Sequence, residues 1–378
     1  MKRPWQRRES RKKLPFQRFL SALIFLMIAA APLVYSPSTA QAAQTRRGRT
    51  VMYVSDSASL GLRASDAERL DQINYAFALI SGGEASGSHW RGISSLKSYL
   101  KQHPSVDGVL SVGGWGADGF SQACATQEGR EKLANSILHL MDAHGFVGVD
   151  IDWEYPGVSF AGIASSKDDA ENWYALLSLL RAGLDQRERN TGRHYTLSVA
   201  LSVSQASSVD AARLNRVLDQ VVLMAYDLYG FTTQTGHQAG LYPAGGVSES
   251  GAYGVNALVK GGMARSKILL GIPAYGRMWR QVTDGNGYGE KAGTIGDKLL
   301  NYADVQALEG SGYTHYYDDN AKAAWWYNGA NFISAEDEQS LRYKARWVLE
   351  QGLLGTAVWA YNHDNDGSVT RILAEALR

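Results

Sequence analysis

The stretch that most constrains how this chain can fold is Phe146-Val147-Gly148-Val149-Asp150-Ile151-Asp152-Trp153-Glu154-Tyr155-Pro156. Read with a period of two, Val149, Ile151 and Trp153 fall on one face and Gly148, Asp150, Asp152 and Glu154 on the other, as successive residues of a strand must. The apolar face calls for a layer of helices to pack against. The acidic face puts three like charges in line, which repel one another and bring no evident structural benefit. Carboxylates crowded in this way have perturbed proton affinities, the property that acid–base chemistry uses. The stretch therefore reads as a catalytic strand or a metal site.

The N-terminal part of the 378-residue chain reads as a targeting segment rather than as fold. Met1 to Arg18 carries eight Lys and Arg against one Glu, an apolar run covers Phe19 to Tyr35, and small residues end in Ala40-Gln41-Ala42. That is the pattern of a secretory signal peptide, residues 1–42, cut after Ala42, which implies a secreted or periplasmic protein. An uncleaved membrane anchor is the alternative, although the run is short for a span and Pro32 interrupts it. Without that segment the 38 Lys+Arg and 37 Asp+Glu of the chain become 30 and 36, a net charge near −6. Such a balance argues against nucleic acid or an anionic membrane as partner. Cys124 is the sole cysteine, so no internal disulfide can form and stability must come from a large core.

After Arg46-Arg47-Gly48-Arg49, eight strand-like runs follow: Thr50–Val54, Gln72–Ala78, Gly108–Val112, Val147–Glu154, Tyr195–Ser202, Gln220–Tyr226, Ile268–Ala274 and Thr356–Tyr361. Helical spacing is clearest over Glu128–His144, Asp168–Arg189, Ala335–Gln351 and Val369–Leu377. Eight alternations predict an α/β fold, a (β/α)8 barrel with parallel strands. A doubly wound open sheet is the alternative, but the chain has neither G-x-G-x-x-G nor a phosphate loop. About sixty residues separate the seventh run from the helix near Ala335, too many for a bare loop. They predict a small α+β insertion over 276–333, between barrel parts 43–275 and 334–378. Its many aromatics, Trp325, Trp326 and Tyr327 among them, are expected mostly to form the insertion's own core.

In such a barrel, chemistry gathers at the C-terminal ends of the strands. The third run ends in Gly113-Gly114-Trp115, the fourth in Asp152-Trp153-Glu154, and the sixth in Met224-Ala225-Tyr226-Asp227. The seventh ends in Ala274-Tyr275-Gly276-Arg277, and the eighth in Val358-Trp359-Ala360-Tyr361. Aromatic rings beside carboxylates at so many ends suggest a sugar site, because pyranose faces stack on rings and hydroxyls bond to acids.

These motifs resemble those of family 18 glycoside hydrolases, the chitinase family. Asp150-x-Asp152-x-Glu154 with Tyr155-Pro156 is similar to the D-x-x-D-x-D-x-E signature. Ser111-x-Gly113-Gly114 is similar to the third-strand motif, Met224-x-Tyr226-Asp227 to the sixth, and Trp359 to the tryptophan of the last strand. The similarity runs over about residues 50 to 376, and the insertion resembles a short chitinase insertion domain. Val147 departs from the signature, whose outermost position is Asp.

The resemblance implies a retaining, substrate-assisted glycosidase acting on β-1,4-linked N-acetylglucosamine in chitin or chito-oligosaccharides. Glu154 would be the general acid, with Asp152 about 6.6 Å back along the strand at the usual rise. Asp152 would orient the substrate's acetamido group, Asp150 would support Asp152, and Tyr226 would hydrogen-bond the acetamido oxygen. Asp227 and Arg277 would bind hydroxyls, Trp359 would floor the sugar bearing the scissile bond, and Trp115, Tyr155 and Tyr275 would serve neighbouring sugars. Tyr53, Phe77 and Met224 would wall the pocket. No cofactor and no metal is expected, the partner is the N-acetylglucosamine chain, and a monomer is expected. Three alternatives stay open: a divalent-cation site in the acidic row, a catalytically silent lectin, and an endo-β-N-acetylglucosaminidase on glycoprotein or peptidoglycan glycans. His363-Asp364-Asn365-Asp366-Gly367 looks metal-like alone but is expected to turn the chain and cap the last helix.

Overall fold

The computed structural model describes residues 47–378. The segment read as a signal peptide, residues 1–42, lies outside the described residues. Eight strands form the centre: β1 Arg49–Ser55, β2 Gln72–Ser81, β3 Asp107–Gly113, β4 Gly148–Asp152, β5 Thr196–Ser202, β6 Gln220–Met224, β7 Ile268–Pro273 and β8 Gly355–Trp359. Each pairs in parallel with the next, and β8 pairs with β1, so the sheet closes on itself as a (β/α)8 barrel.

Alternation along each strand divides the core in two. Met52, Val54, Leu110, Val149 and Ile151 face outward into the helical jacket, where they meet Leu133, Ile137, Met141, Leu177 and Leu180. Val51, Tyr53, Ala200, Val222, Leu269 and Ala357 point inward and fill the barrel. The jacket helix Gln127–His144 starts where the Thr126 side chain accepts from the Gly129 N–H, and it ends at Gly145 with φ 74°. The next, Asp169–Thr191, ends in the same way at Gly192, φ 70°. Among the described residues, no helix is long and apolar enough to cross a membrane.

Directly after β7 the chain leaves the barrel to build a five-stranded antiparallel sheet. Its order is Lys298–Asn301, Tyr275–Arg280, Asn331–Ala335, Ala323–Tyr327, Thr314–Asp318, and a short helix, Tyr302–Gln306, follows its edge strand. Trp279, Trp325, Tyr327 and Phe332 pack on one face, and Met278, Trp326 and Ile333 on the other. Ala335 ends the last strand, and the helix expected from there starts at Glu338, behind an Asp337–Ser340 capping box.

Candidate active site

Strand β4 delivers the acidic row to the barrel interior. Asp150 is fully buried and accepts three hydroxyls: Tyr53 Oη at 2.9 Å, Ser111 Oγ at 2.7 Å and Ser198 Oγ at 2.6 Å. Ser111 and Ser198 reach it because both are in register with Asp150, on the flanking strands β3 and β5. Burial pushes the Asp150 carboxyl up, and these bonds pull it part of the way back. Asp152 is 4 % exposed, and its Oδ1 has no hydrogen-bond partner. Burial, then the charges of Glu154 and Asp150, push its proton affinity well above the ordinary range.

Glu154 lies two residues past the end of β4, so the strand rise does not set its distance from Asp152. Burial raises its carboxyl to about 7, with a further push from Asp227 against a hydrogen bond from Tyr155. The neighbouring Trp153 turns into the jacket and stacks on Phe120, ring centroids 5.0 Å apart. The glycines of the third-strand motif keep this turn open. A Cβ on Gly113, φ 116°, would stand 2.1 Å from the Asp152 carbonyl oxygen, and one on Gly114, φ 93°, would stand 2.6 Å from the Phe77 ring.

Above the row opens a cavity of about 520 Å³, in the size range of small-molecule sites. Asp152, Glu154, Tyr226, Trp115, Tyr155, Met224, Asp227, Tyr275, Arg277, Trp359 and Phe77 all line it. Phe77 stacks on Trp359 at 5.5 Å and 23°, so one ring braces the other. Asp227, in the left-handed region at φ 61°, accepts Tyr275 Oη at 2.7 Å and Arg277 Nε at 2.5 Å. Tyr226 is pushed well above its usual range, first by burial and then by the charges of Asp152 and Glu154, so its phenol stays a proton donor.

Two expected residues lie below the cavity rather than on it. Asp150 is sealed beneath by its three hydroxyl donors. Tyr53, expected on the pocket wall, is not among the lining residues: at 2 % exposure its hydroxyl is committed to Asp150 and its ring meets Trp359 edge-on at 5.7 Å. The lining also includes residues the sequence reading did not single out. Phe160 and Phe231 come from the loops after β4 and β6, Ser202, Val203 and Ser204 from the end of β5, and Glu249, Asp297 and Leu299 from further loops and the insertion's edge. Trp325, Trp326 and Tyr327 are absent from it.

The motif at His363 turns the chain as expected. Asp364 accepts the N–H groups of Val369 and Thr370 and the Thr370 hydroxyl, capping the helix Ser368–Ala376. Among the described residues, no three His, Cys, Asp or Glu side chains group as metal ligands.

With this geometry in place, comparison with known proteins identifies relatives. The profile of the family described as Glycosyl hydrolases family 18 matches residues 49–364. Chitinase A1 of Niallia circulans is 32% identical over 299 residues, 72% of this chain and 43% of its own length. Chitinase 1 of Aphanocladium album is also 32% identical, over 73% of this chain and 66% of its own length. The chain thus spans under half of one curated relative and about two thirds of the other. Among solved structures, a family 18 N-acetylglucosaminidase from Paenibacillus barengoltzii superposes with a TM-score of 0.83 at 34% identity, covering 87% of this chain and 99% of that one. A class V chitinase from Nicotiana tobaccum in complex with NAG4 does so at 0.78 and 27% identity, covering 88% and 99%.

Proposed function

The chain belongs to family 18 of the glycosyl hydrolases, and from that membership we propose that it is a chitinase cleaving β-1,4 bonds between N-acetylglucosamine units by a retaining, substrate-assisted mechanism. The names of its relatives support the substrate class. One observation carries the mechanism. Asp152, with one oxygen unpartnered and its proton affinity raised by burial, shares a cavity with Trp359, Tyr226 and a glutamate whose carboxyl burial lifts to about 7.

In the first step Glu154 gives its proton to the glycosidic oxygen. The acetamido carbonyl oxygen of the sugar over Trp359 attacks its own anomeric carbon as the C1–O bond breaks, leaving an oxazolinium ion. Asp152 accepts the acetamido N–H through its unpartnered oxygen, which orients the acetamido carbonyl for the attack. Asp150, locked by three hydroxyls, fixes the field beneath Asp152, and the Tyr226 phenol donates to the acetamido oxygen. Glu154, now a carboxylate, takes a proton from the water that attacks C1 from the face the leaving group vacated. The ring opens with the original configuration restored.

Time-resolved NMR of chito-oligosaccharide hydrolysis tests this. The wild type should release β-anomer first. Glu154→Gln should lower turnover about 10²–10⁴-fold while still binding the oligosaccharide. Early α-anomer, or full turnover by the variant, would remove the scheme. A second reading, release of single N-acetylglucosamine units, is favoured by the likeness to the Paenibacillus barengoltzii N-acetylglucosaminidase, and the product sizes in the same experiment separate the two. We also propose export, on the basic–apolar–small pattern of residues 1–42; a mature N-terminus at Ala43 on protein recovered outside the cytoplasm is the expected outcome.

A further inference from the structure

Strand β4 ends at Asp152, whose partner in register is Gly113, so sheet pairing does not hold Glu154. Something else must fix the general acid of the proposed reaction. From Glu154 the chain runs through a loop, residues 155–168, into the jacket helix that opens at Asp169. Asp169 has no part in the mechanism above, yet its side chain is fully buried. Its Oδ1 accepts the Ser121 hydroxyl at 2.7 Å, and its Oδ2 accepts the N–H groups of Ser166 at 2.7 Å and Gly157 at 3.2 Å. Burying a carboxylate is costly unless such bonds are made, so these three donors say what the group is for.

Two of them flank the general acid. Ser121 belongs to the short helix Phe120–Cys124 after β3. Phe120 of that helix stacks on Trp153, the residue before Glu154, with ring centroids 5.0 Å apart and planes 10° from parallel. Gly157 lies in the turn that follows Glu154, where the Tyr155 carbonyl accepts the Val158 N–H at 3.1 Å. The Tyr155 side chain in turn hydrogen-bonds the Glu154 carboxyl. One carboxylate thus ties the helix behind Trp153 to the turn at Tyr155. An acid in the first turn of a helix also stabilises that helix by itself. That local role accounts for Ser166, three positions away, but not for Gly157 and Ser121, which are 12 and 48 positions away.

We propose that Asp169 is a positioning residue for the general acid: by holding Ser121 and Gly157 on one carboxylate it fixes both neighbours of Glu154, and with them the carboxyl that protonates the leaving group. The inference rests on the glycosidase reading above.

The test compares kcat/KM for a chito-tetramer with that for a fluorogenic aryl N,N′-diacetylchitobioside. A sugar oxygen needs a proton to leave, whereas an aryl oxygen leaves as a stable anion and depends far less on the acid. Asp169→Ala should lower kcat/KM about 10- to 100-fold for the tetramer, the cost of a misplaced catalytic group, and much less for the aryl substrate. A loss of folded enzyme lowers both alike, so equal losses, or none, overturn the proposal. Asp169→Asn should restore most of the tetramer-to-aryl ratio, because an amide oxygen can accept both N–H groups while its NH2 donates to Ser121. Ser121→Ala removes a single bond and should lower the ratio about twofold to fivefold, and it decides the matter if Asp169→Ala does not fold. Asp118 is the control. It accepts the Ala164 N–H of the same loop at 3.0 Å but touches neither neighbour of Glu154, so Asp118→Ala should leave the ratio unchanged. A fall there as large as in Asp169→Ala would assign the effect to the loop as a whole and overturn the proposal. A wild type that cleaves neither substrate would sink the glycosidase reading, and this inference with it.

Discussion

The barrel mouth and the insertion sheet are built from the same residue types, aromatic rings interleaved with acids, yet they treat their carboxylates in opposite ways. In and beside the insertion, acids face nitrogen donors: imidazoles, an ammonium or backbone N–H groups. Asp318 meets His237 Nε2 at 3.1 Å, Asp337 meets His315 Nε2 at 3.0 Å, and Glu336 holds the Lys344 ammonium. Burial pushes Asp318 and Asp337 upward, but backbone N–H groups, Ser340 and the histidines pull both below the ordinary carboxylate range. Glu336 is so deeply buried that burial still lifts it, even with Lys344 against it. At the mouth, Asp150, Asp152 and Glu154 have only hydroxyls or nothing, and all three are raised. The rings follow the same division. Trp326 is 1 % exposed within the sheet, whereas Trp115 at the mouth is 49 % exposed. Acids that stabilise structure are paired, and acids left unpaired at the cost of stability are the ones positioned for chemistry.

The largest effect expected on the structural side comes from breaking a pair. Lys344 donates to both Glu336 and the Ala239 carbonyl oxygen, and it is 3 % exposed. Lys344→Met leaves Glu336 buried with no cation, which should cost about 3–5 kcal/mol of stability, read as a lower urea midpoint. Adding Glu336→Gln to that variant should recover part of the loss, because the stranded charge is then gone. A fully stable Lys344→Met variant would break the contrast, since it would mean that the buried pair and the unpaired row are energetically alike.

That contrast was only partly legible in the sequence. The acidic row could be read because a period of two and a terminal glutamate are local properties, and the eight strands because Val, Ile and Tyr runs end at turn residues. The insertion announced itself by length alone. Helix Gly251–Lys260 was not singled out, because Gly251 and Gly254 lower its helical propensity. In the fold Gly254 lets the helix approach β6, where an added Cβ would stand 2.8 Å from Leu223. Phe160 and Phe231 lie in loops without periodicity, and nothing in their local sequence says that rings 71 positions apart will meet at 6.0 Å. Tyr53 was readable as an inward-facing residue of β1. That its hydroxyl would be committed to Asp150 depends on barrel closure, which no single segment encodes.

A smaller effect sharpens the comparison from the other side. Glu154 is held at about 7 in the folded protein, against an ordinary value near 4.5. A carboxyl raised on folding favours the native state while protonated, so its contribution is fully present below about pH 4.5 and is lost as the pH rises through 7. Glu154→Gln removes that titration while keeping the shape of the protonated acid. At pH 4 the variant and the wild type should unfold at the same urea concentration. At pH 8 the variant should be the more stable by about 1–3 kcal/mol, because only the wild type then buries a charge beside Asp152 and Asp227. The sign is opposite to that for Lys344→Met: altering an unpaired acid at the mouth should stabilise the fold, and altering the partner of a paired one should weaken it. A stability difference of the same size at both pH values would show that Glu154 titrates normally, and the mouth would then lose its electrostatic distinction from the sheet beside it.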